Sequence, residues 1–196
     1  MTGLIAQPKQ LRTPKLVHNV TWEQLEEIDE SLQDFPGLKL IYLDGLLEIT
    51  PIEEDHETVK STMGILLESY LRARRIRFYR RGGPTLGRKE DGARNEPDES
   101  YSIGTREQYP DLVFEVVFTS GGVDRLEGYR RMGVKEVWFW ENGIITIFAL
   151  EAEEYREVEN TRLIQDFPLQ SFLKYVSYPD QFDAVDEFLN EVNAQK

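Results

Sequence analysis

The sequence contains no cysteine and only two histidines, His18 and His56. The first absence excludes disulfides, Fe–S clusters, thiol catalysis and cysteine-ligated zinc together. The second leaves too few imidazoles for a histidine-rich zinc centre. A metal held by this chain must therefore take mainly oxygen ligands, which favours Mg²⁺, Mn²⁺ or Ca²⁺. No apolar run approaches the roughly 20 residues that a membrane-spanning helix needs. The opening stretch MTGLIAQPKQLRTPK is polar and carries prolines, without the apolar segment of a signal peptide, so the cytoplasm is the expected location. Positive charge is also scarce. Lysine and arginine total 23 against 36 acidic residues, a net charge of −13 that argues against non-specific binding of nucleic acid.

What is present suits a soluble globular protein: 196 residues, 40% hydrophobic and 30% charged. That length accommodates one domain with a sizeable core, expected over residues 20–196, with 1–19 as an N-terminal extension. Thr21 and Gln24 form a capping box ahead of a short helix whose apolar stripe is Trp22, Leu25, Ile28 and Leu32. LKLIYLDGLLEIT predicts a hairpin turning at Asp44-Gly45. A long helix is expected to begin near Asp55, with Val59, Met63, Leu66, Leu67 and Tyr70 on its buried side. IRFYRRG and EPDESYSIG flank a glycine-rich, charged loop, and both flanks read as strands. SGGVDRLEGYRRMG reads as a helix stopped by Gly133. EVWFWENGIITIFAL reads as a second hairpin turning at Asn142-Gly143, followed by two short amphipathic helices. This order predicts a mixed α/β domain.

Basic residues are concentrated. Between Arg72 and Arg94 lie Arg72, Arg74, Arg75, Arg77, Arg80, Arg81, Arg88, Lys89 and Arg94, opposed only by Glu90 and Asp91. Such a segment on an acidic body either makes salt bridges to that body or forms a phosphate-binding surface.

The chemically informative stretch is DLVFEVV, residues 111–117. On a strand, Leu112, Phe114, Val116 and Phe118 share an apolar face, while Glu115 lies between Val113 and Val117 on the other. A buried carboxylate is costly unless something pairs with it. One expectation is an ion pair with an arginine of the basic window; another is exposure to solvent. The third is a metal shared with Asp98, 17 positions upstream, if EPDESYSIG and DLVFEVV pair as neighbouring strands. A divalent cation would stabilise both carboxylates and create a hydrolytic site. Asp111 is too far along its strand, roughly 13 Å from Glu115, to join that ligand shell, and reads as a strand start or salt-bridge residue.

PDESYSIG followed by YPDLVFEVVFTSGGVDRLEGYRRMGVKEVWFWENG resembles a bacterial family of restriction-endonuclease-like proteins within the PD-(D/E)XK nuclease superfamily. DGLLEITP and His56 also fit its upstream half, so the resemblance covers roughly residues 20–150. It implies a restriction-endonuclease-like core, a mixed sheet flanked by helices with an N-terminal helix and hairpin. It also implies Mg²⁺ or Mn²⁺ held by Asp98 and Glu115, and DNA phosphodiesters as substrate. A homodimer is a further expectation, because such nucleases often pair to cut both strands. This chain departs from the pattern at the lysine of the motif, which is Val117. In many members a lysine stands in the following helix, four residues before a tyrosine, and that position here is Arg125, ahead of Tyr129. Arginine stabilises charge on phosphate but is a poor proton acceptor.

Other polar residues have two readings each. Glu48 either joins the site or lies on the surface of the hairpin. His56 either orients a ligand or makes local bonds at a helix start. Trp138, Phe139 and Trp140 belong to a core or an interface. The leading functional reading is a metal-dependent DNA endonuclease with Asp98, Glu115 and Arg125 at its centre and the basic window guiding the phosphate backbone. The alternatives are a degenerate module on the same fold that binds DNA or protein, and an acidic scaffold whose aromatic hairpin pairs with a second copy.

Overall fold

The computed structural model describes residues 13–34, 37–51, 54–117 and 122–194. Its elements alternate along the chain as β1 (Lys15–Val17), α1 (Trp22–Leu32), β2 (Leu38–Leu43), β3 (Leu46–Pro51), α2 (Glu54–Ala73) and β4 (Phe78–Arg80). A 3₁₀ turn at Lys89–Asp91 leads into β5 (Ala93–Arg94), β6 (Glu99–Ile103), β7 (Leu112–Val116) and α3 (Arg125–Arg131). Then follow β8 (Glu136–Glu141), β9 (Ile144–Glu151), β10 (Glu154–Val158), α4 (Leu169–Val176) and α5 (Gln181–Ala194). The mixed α/β architecture expected from the sequence is the one observed.

Two sheets result. The larger has the order β10-β9-β8-β7-β6-β4, and the smaller β1-β3-β2-β5. In the larger sheet only β7 and β8 run parallel, joined through α3, and its other pairs are antiparallel hairpins or near neighbours. The turn chemistry explains both predicted hairpins. Asp44 and Gly45 have φ of 45° and 91°, and Asn142 and Gly143 have 49° and 84°, the left-handed pair that matches strand twist. The capping box of α1 is also present, with Thr21 N–H donating to Gln24 Oε1 at 2.9 Å and Gln24 N–H to Thr21 Oγ1 at 3.3 Å.

One face of the larger sheet carries Leu112, Phe114, Val116, Trp138 and Trp140, packed against the buried sides of α2, α4 and α5. Phe114 and Trp138 stack with ring centres 5.1 Å apart. The other face carries Val113 and Val137 beneath Tyr129 of α3 and Met132, the residue that follows it. The smaller sheet buries Leu40, Tyr42 and Leu47 against Leu25 of α1. Its opposite face turns toward the end of β7, and the polar residues collect there.

The aromatic run is therefore core. Trp138 is fully buried, and both strands of its hairpin are paired on both sides within the six-stranded sheet. No free edge of β8 or β9 is left for a second copy of the chain. The strand β10 had no counterpart in the sequence reading: EYREV alternates weakly, and its turn depends on Ala152 at a φ of 56°.

Candidate active site

Strand pairing brings the two motif carboxylates together. β6 runs antiparallel to β7 with Glu99 opposite Phe114, and the Asp98 N–H donates to the Phe114 carbonyl at 3.0 Å. The Asp98 side chain then turns back along β7, where its Oδ2 accepts from the Val116 N–H at 2.6 Å. Its carboxylate thus lies against the peptide that follows Glu115. Both acids are buried, Asp98 at 4% and Glu115 at 1% exposure.

Glu115 is balanced from α3. Arg125 Nη1 donates to its Oε2 at 2.9 Å, and the Tyr129 hydroxyl donates to its Oε1 at 2.5 Å. The i, i+4 spacing of Arg125 and Tyr129 aligns the two donors on one face of the helix. The helix is brought close by a small residue: a Cβ at Gly128 would stand 2.9 Å from the Asn95 side chain. Asn95 Nδ2 in turn donates to the Arg125 carbonyl at 2.9 Å, anchoring the first turn. Asp124 caps that turn by accepting from the Glu127 N–H at 3.1 Å.

A third acid enters from the smaller sheet. Glu48 is fully buried, and its Oε2 accepts from the N–H groups of Gly122 at 2.6 Å and Val123 at 3.2 Å. Its Oε1 accepts from Thr50 Oγ1 at 2.7 Å and faces Arg125 Nη2 at 3.4 Å. Arg125 therefore bridges Glu48 and Glu115, one from each sheet. Lys39 of β2 completes the cluster by donating from Nζ to Asp98 Oδ1. A cleft of about 370 Å³ opens beside Arg125 between Val117, Val123, Phe139 and Phe148.

The electrostatics follow from burial. Desolvation pushes the Glu115 carboxyl above its ordinary 4.5, Asp98 adds to the rise, and Arg125 and Lys39 oppose it. Glu48 ends on the other side of the same ordinary value. Desolvation pushes it up, but the bonds from Thr50, Gly122 and Val123 outweigh that and hold it low. Burial opposes the charge on Arg125, and the surrounding Glu115, Tyr129 and Glu48 more than restore it. The cluster holds three carboxylates against two cations, so one further positive charge or proton would neutralise it.

The carboxylates suit a hard divalent ion in kind. Asp98 and Glu115 offer oxygen donors, each already accepting from a protein donor, and among the described residues no group of three or more acids or histidines is arranged to hold a metal ion. Mg²⁺ is commonly held by one or two carboxylates, with water and phosphate completing its shell.

Several expectations are corrected. Glu48 is not a surface residue of the hairpin but an inner member of the cluster. The partner of Glu115 is Arg125, not an arginine of the basic window. Part of that window is engaged with the protein body. Arg80 donates to Glu99, Arg81 to the carbonyls of Glu107 and Gln108, and Lys89 pairs with Glu23. Arg94 is buried between Asp29 and Glu96. Arg80 and Lys89 remain more than half exposed in their pairs. Asp111, read as a strand-start or salt-bridge residue, accepts from the Ile103 N–H at 2.7 Å and pairs with Lys135. The His56 side chain lies outside the described residues. Lys39 and Tyr129 were not recognised as site residues from sequence, although a lone lysine within LKLIYL was a signal of the same kind as Glu115.

The family model described as "Putative restriction endonuclease", named Uma2, matches residues 22–177. The chain belongs to the Uma2 family. No curated protein matches its sequence. Among solved structures, it is similar to a putative nuclease of the DUF820 group from Anabaena variabilis. Identity there is 17% and the TM-score 0.46, over 82% of this chain and 98% of the other. Within the Uma2 match lie Lys39, Glu48, Asp98, Glu115 and Arg125, so the whole cluster falls inside the family domain. No helix among the described residues is long and apolar enough to cross a membrane.

Proposed function

We propose that this Uma2 chain is a divalent-metal-dependent DNA endonuclease that hydrolyses phosphodiester bonds, with Asp98 and Glu115 as its metal-holding acids and Arg125 as its phosphate-contacting cation. The observation that carries this reading is the buried convergence of Asp98 and Glu115 at the β6–β7 pair, with Arg125 bridging Glu115 to Glu48. Restriction endonucleases act on DNA, and restriction-endonuclease-like nucleases generally use divalent metals, which supports both substrate and cofactor. A bound Mg²⁺ or Mn²⁺ would supply Lewis-acid stabilisation of the phosphate charge and a more acidic water. Asp98 and Glu115 would hold that cation from the strand pair. Arg125, only 13% exposed, offers guanidinium hydrogens to a phosphate oxygen entering from the cleft. Glu48 holds the guanidinium's position, and Tyr129 fixes the Glu115 rotamer. In the reaction one P–O ester bond breaks as the water oxygen forms a new P–O bond that carries no ester carbon. The water gives up a proton to solvent, and the departing oxygen takes one from it.

A second reading is favoured by one specific observation. Val117 stands where the motif lysine belongs, and Asp98 and Glu115 already face Lys39 and Arg125. A degenerate nuclease module that binds DNA or protein without cutting would tolerate both features. Nicking of supercoiled plasmid in Mn²⁺ separates the two. The wild type should convert plasmid to open circles and a folded Asp98→Asn protein should not. DNA binding without nicking by the wild type would replace the nuclease reading with the module.

A further inference from the structure

Val117 leaves β7 without an ammonium group, yet a lysine reaches the carboxylates from the other sheet. Lys39 lies 59 residues before Asp98 and donates to its Oδ1, while Val116 N–H takes Oδ2. Only 12% of the Lys39 side chain and 2% of the Asp98 side chain are exposed. Lysines usually extend their charge into water, so an ammonium held this far inside has a specific partner or task.

The strand register turns Lys39 inward. It stands opposite Thr50 on β3, and Ile41 stands opposite Glu48. Lys39, Thr50 and Glu48 therefore share one face of the smaller sheet, the face toward β7 and α3. Leu40, Tyr42 and Leu47 occupy the opposite face against α1. A slip of one residue would exchange the two sets, and the apolar contacts with α1 oppose that slip. The inward lysine is thus enforced by the packing of its neighbours.

We propose that Lys39 is the active-site lysine of this chain, supplying from β2 the ammonium that β7 lacks, with Asp98 holding it toward the phosphate and the attacking water. This inference rests on the nuclease reading. It divides the cationic work between the sheets: Arg125 comes with β7 through α3, and Lys39 comes with β2. The ammonium stabilises charge on the phosphate oxygens and orders the water. Asp98 is then shared between Lys39 and the metal.

Two measurements on the full chain test this. In plasmid nicking with Mn²⁺, Lys39→Gln keeps a hydrogen bond to Asp98 but removes the charge. It should cut on the order of 10²-fold more slowly, the usual effect of losing one electrostatic contact to a transition state. Adding Val117→Lys, which returns an ammonium to the Glu115 face of β7, should restore most of the lost rate. A folded Lys39→Gln protein that nicks like the wild type overturns the proposal. So does a folded double variant that stays as slow as the single one, because Lys39 is then only a counter-ion. In calorimetric titration, Mn²⁺ should bind Lys39→Gln more tightly than the wild type, since the competing charge at Asp98 is gone. Equal affinity overturns the sharing of Asp98. If the wild type leaves plasmid uncut, the nuclease reading fails, and the titration alone decides whether Lys39 belongs to the cation site.

Discussion

Two glutamates of the larger sheet are equally buried and differently employed. Glu136, at the start of β8, and Glu115, near the end of β7, are each 1% exposed. The hydrogen-bond donors to Glu136 are uncharged. Its Oε2 accepts from Trp138 Nε1 at 2.9 Å and Thr161 Oγ1 at 2.7 Å, and its Oε1 from the N–H groups of Arg162 at 2.5 Å and Leu163 at 3.2 Å. The bonds from Thr161, Arg162 and Leu163 tie the segment after β10 to the sheet. Glu115 instead accepts from a guanidinium and a phenol, and stands beside Asp98 and Lys39. A carboxylate surrounded by neutral donors is fully accounted for by the fold. A carboxylate set among other charges invites another explanation, because like charges are brought together only against their repulsion. Burial alone does not mark a site, and the company of the buried group does.

The comparison is broken most sharply by removing each charge in turn. Glu115→Gln should lower plasmid nicking in Mn²⁺ by at least about 10²-fold. Glu136→Gln should leave the rate per folded molecule unchanged, with folded fractions taken from circular dichroism. Equal losses at the two positions would end the distinction.

Stability should show the reverse emphasis. In Glu136→Gln an amide NH₂ replaces an oxygen that now accepts two bonds, so donors are left facing a donor. Urea denaturation should record a loss of about 1–3 kcal/mol. Glu115 is distinguished by its pH dependence. Its folded pKa lies above the ordinary 4.5, so between those values the folded state holds more protons than the unfolded one. Relative to Glu115→Gln, the wild type should therefore lose stability as pH rises above 4.5. Glu48, held below 4.5, contributes with the opposite sign, and its share is lost as pH falls through its folded pKa. Melting temperatures of wild type and Glu115→Gln across pH 4 to 8 check the first sign. A difference that does not change with pH would contradict it.

The smallest effect concerns the basic window. Changing Arg80 and Arg81 to Ser removes the bonds to Glu99 and to the carbonyls of Glu107 and Gln108. Arg80 is more than half exposed, so the cost should be at most about 1 kcal/mol. The salt dependence of DNA binding should keep its slope, because these arginines already have partners. A slope lowered by about one per arginine would return them to the DNA surface.

Local chemistry determined much of this protein from sequence alone. The Thr21 capping box, the Asp44-Gly45 and Asn142-Gly143 turns and the apolar alternation of LVFEV needed only neighbours within a few residues, and each appears where expected. The pairing of Asp98 with Glu115 was also legible, because the two strands are nearly consecutive and one register aligns the motif. Tertiary structure decided the rest. Glu48 and Lys39 reach the cluster only because the smaller sheet turns one face toward β7, a contact spanning more than 50 residues of chain. Arginines of the window found acidic partners far away in sequence, as Lys89 did with Glu23 and Arg94 with Asp29. Periodicity shows which side of a strand is polar. Which charges meet across that side depends on how the sheets pack, and that is set by the whole core rather than by any local stretch.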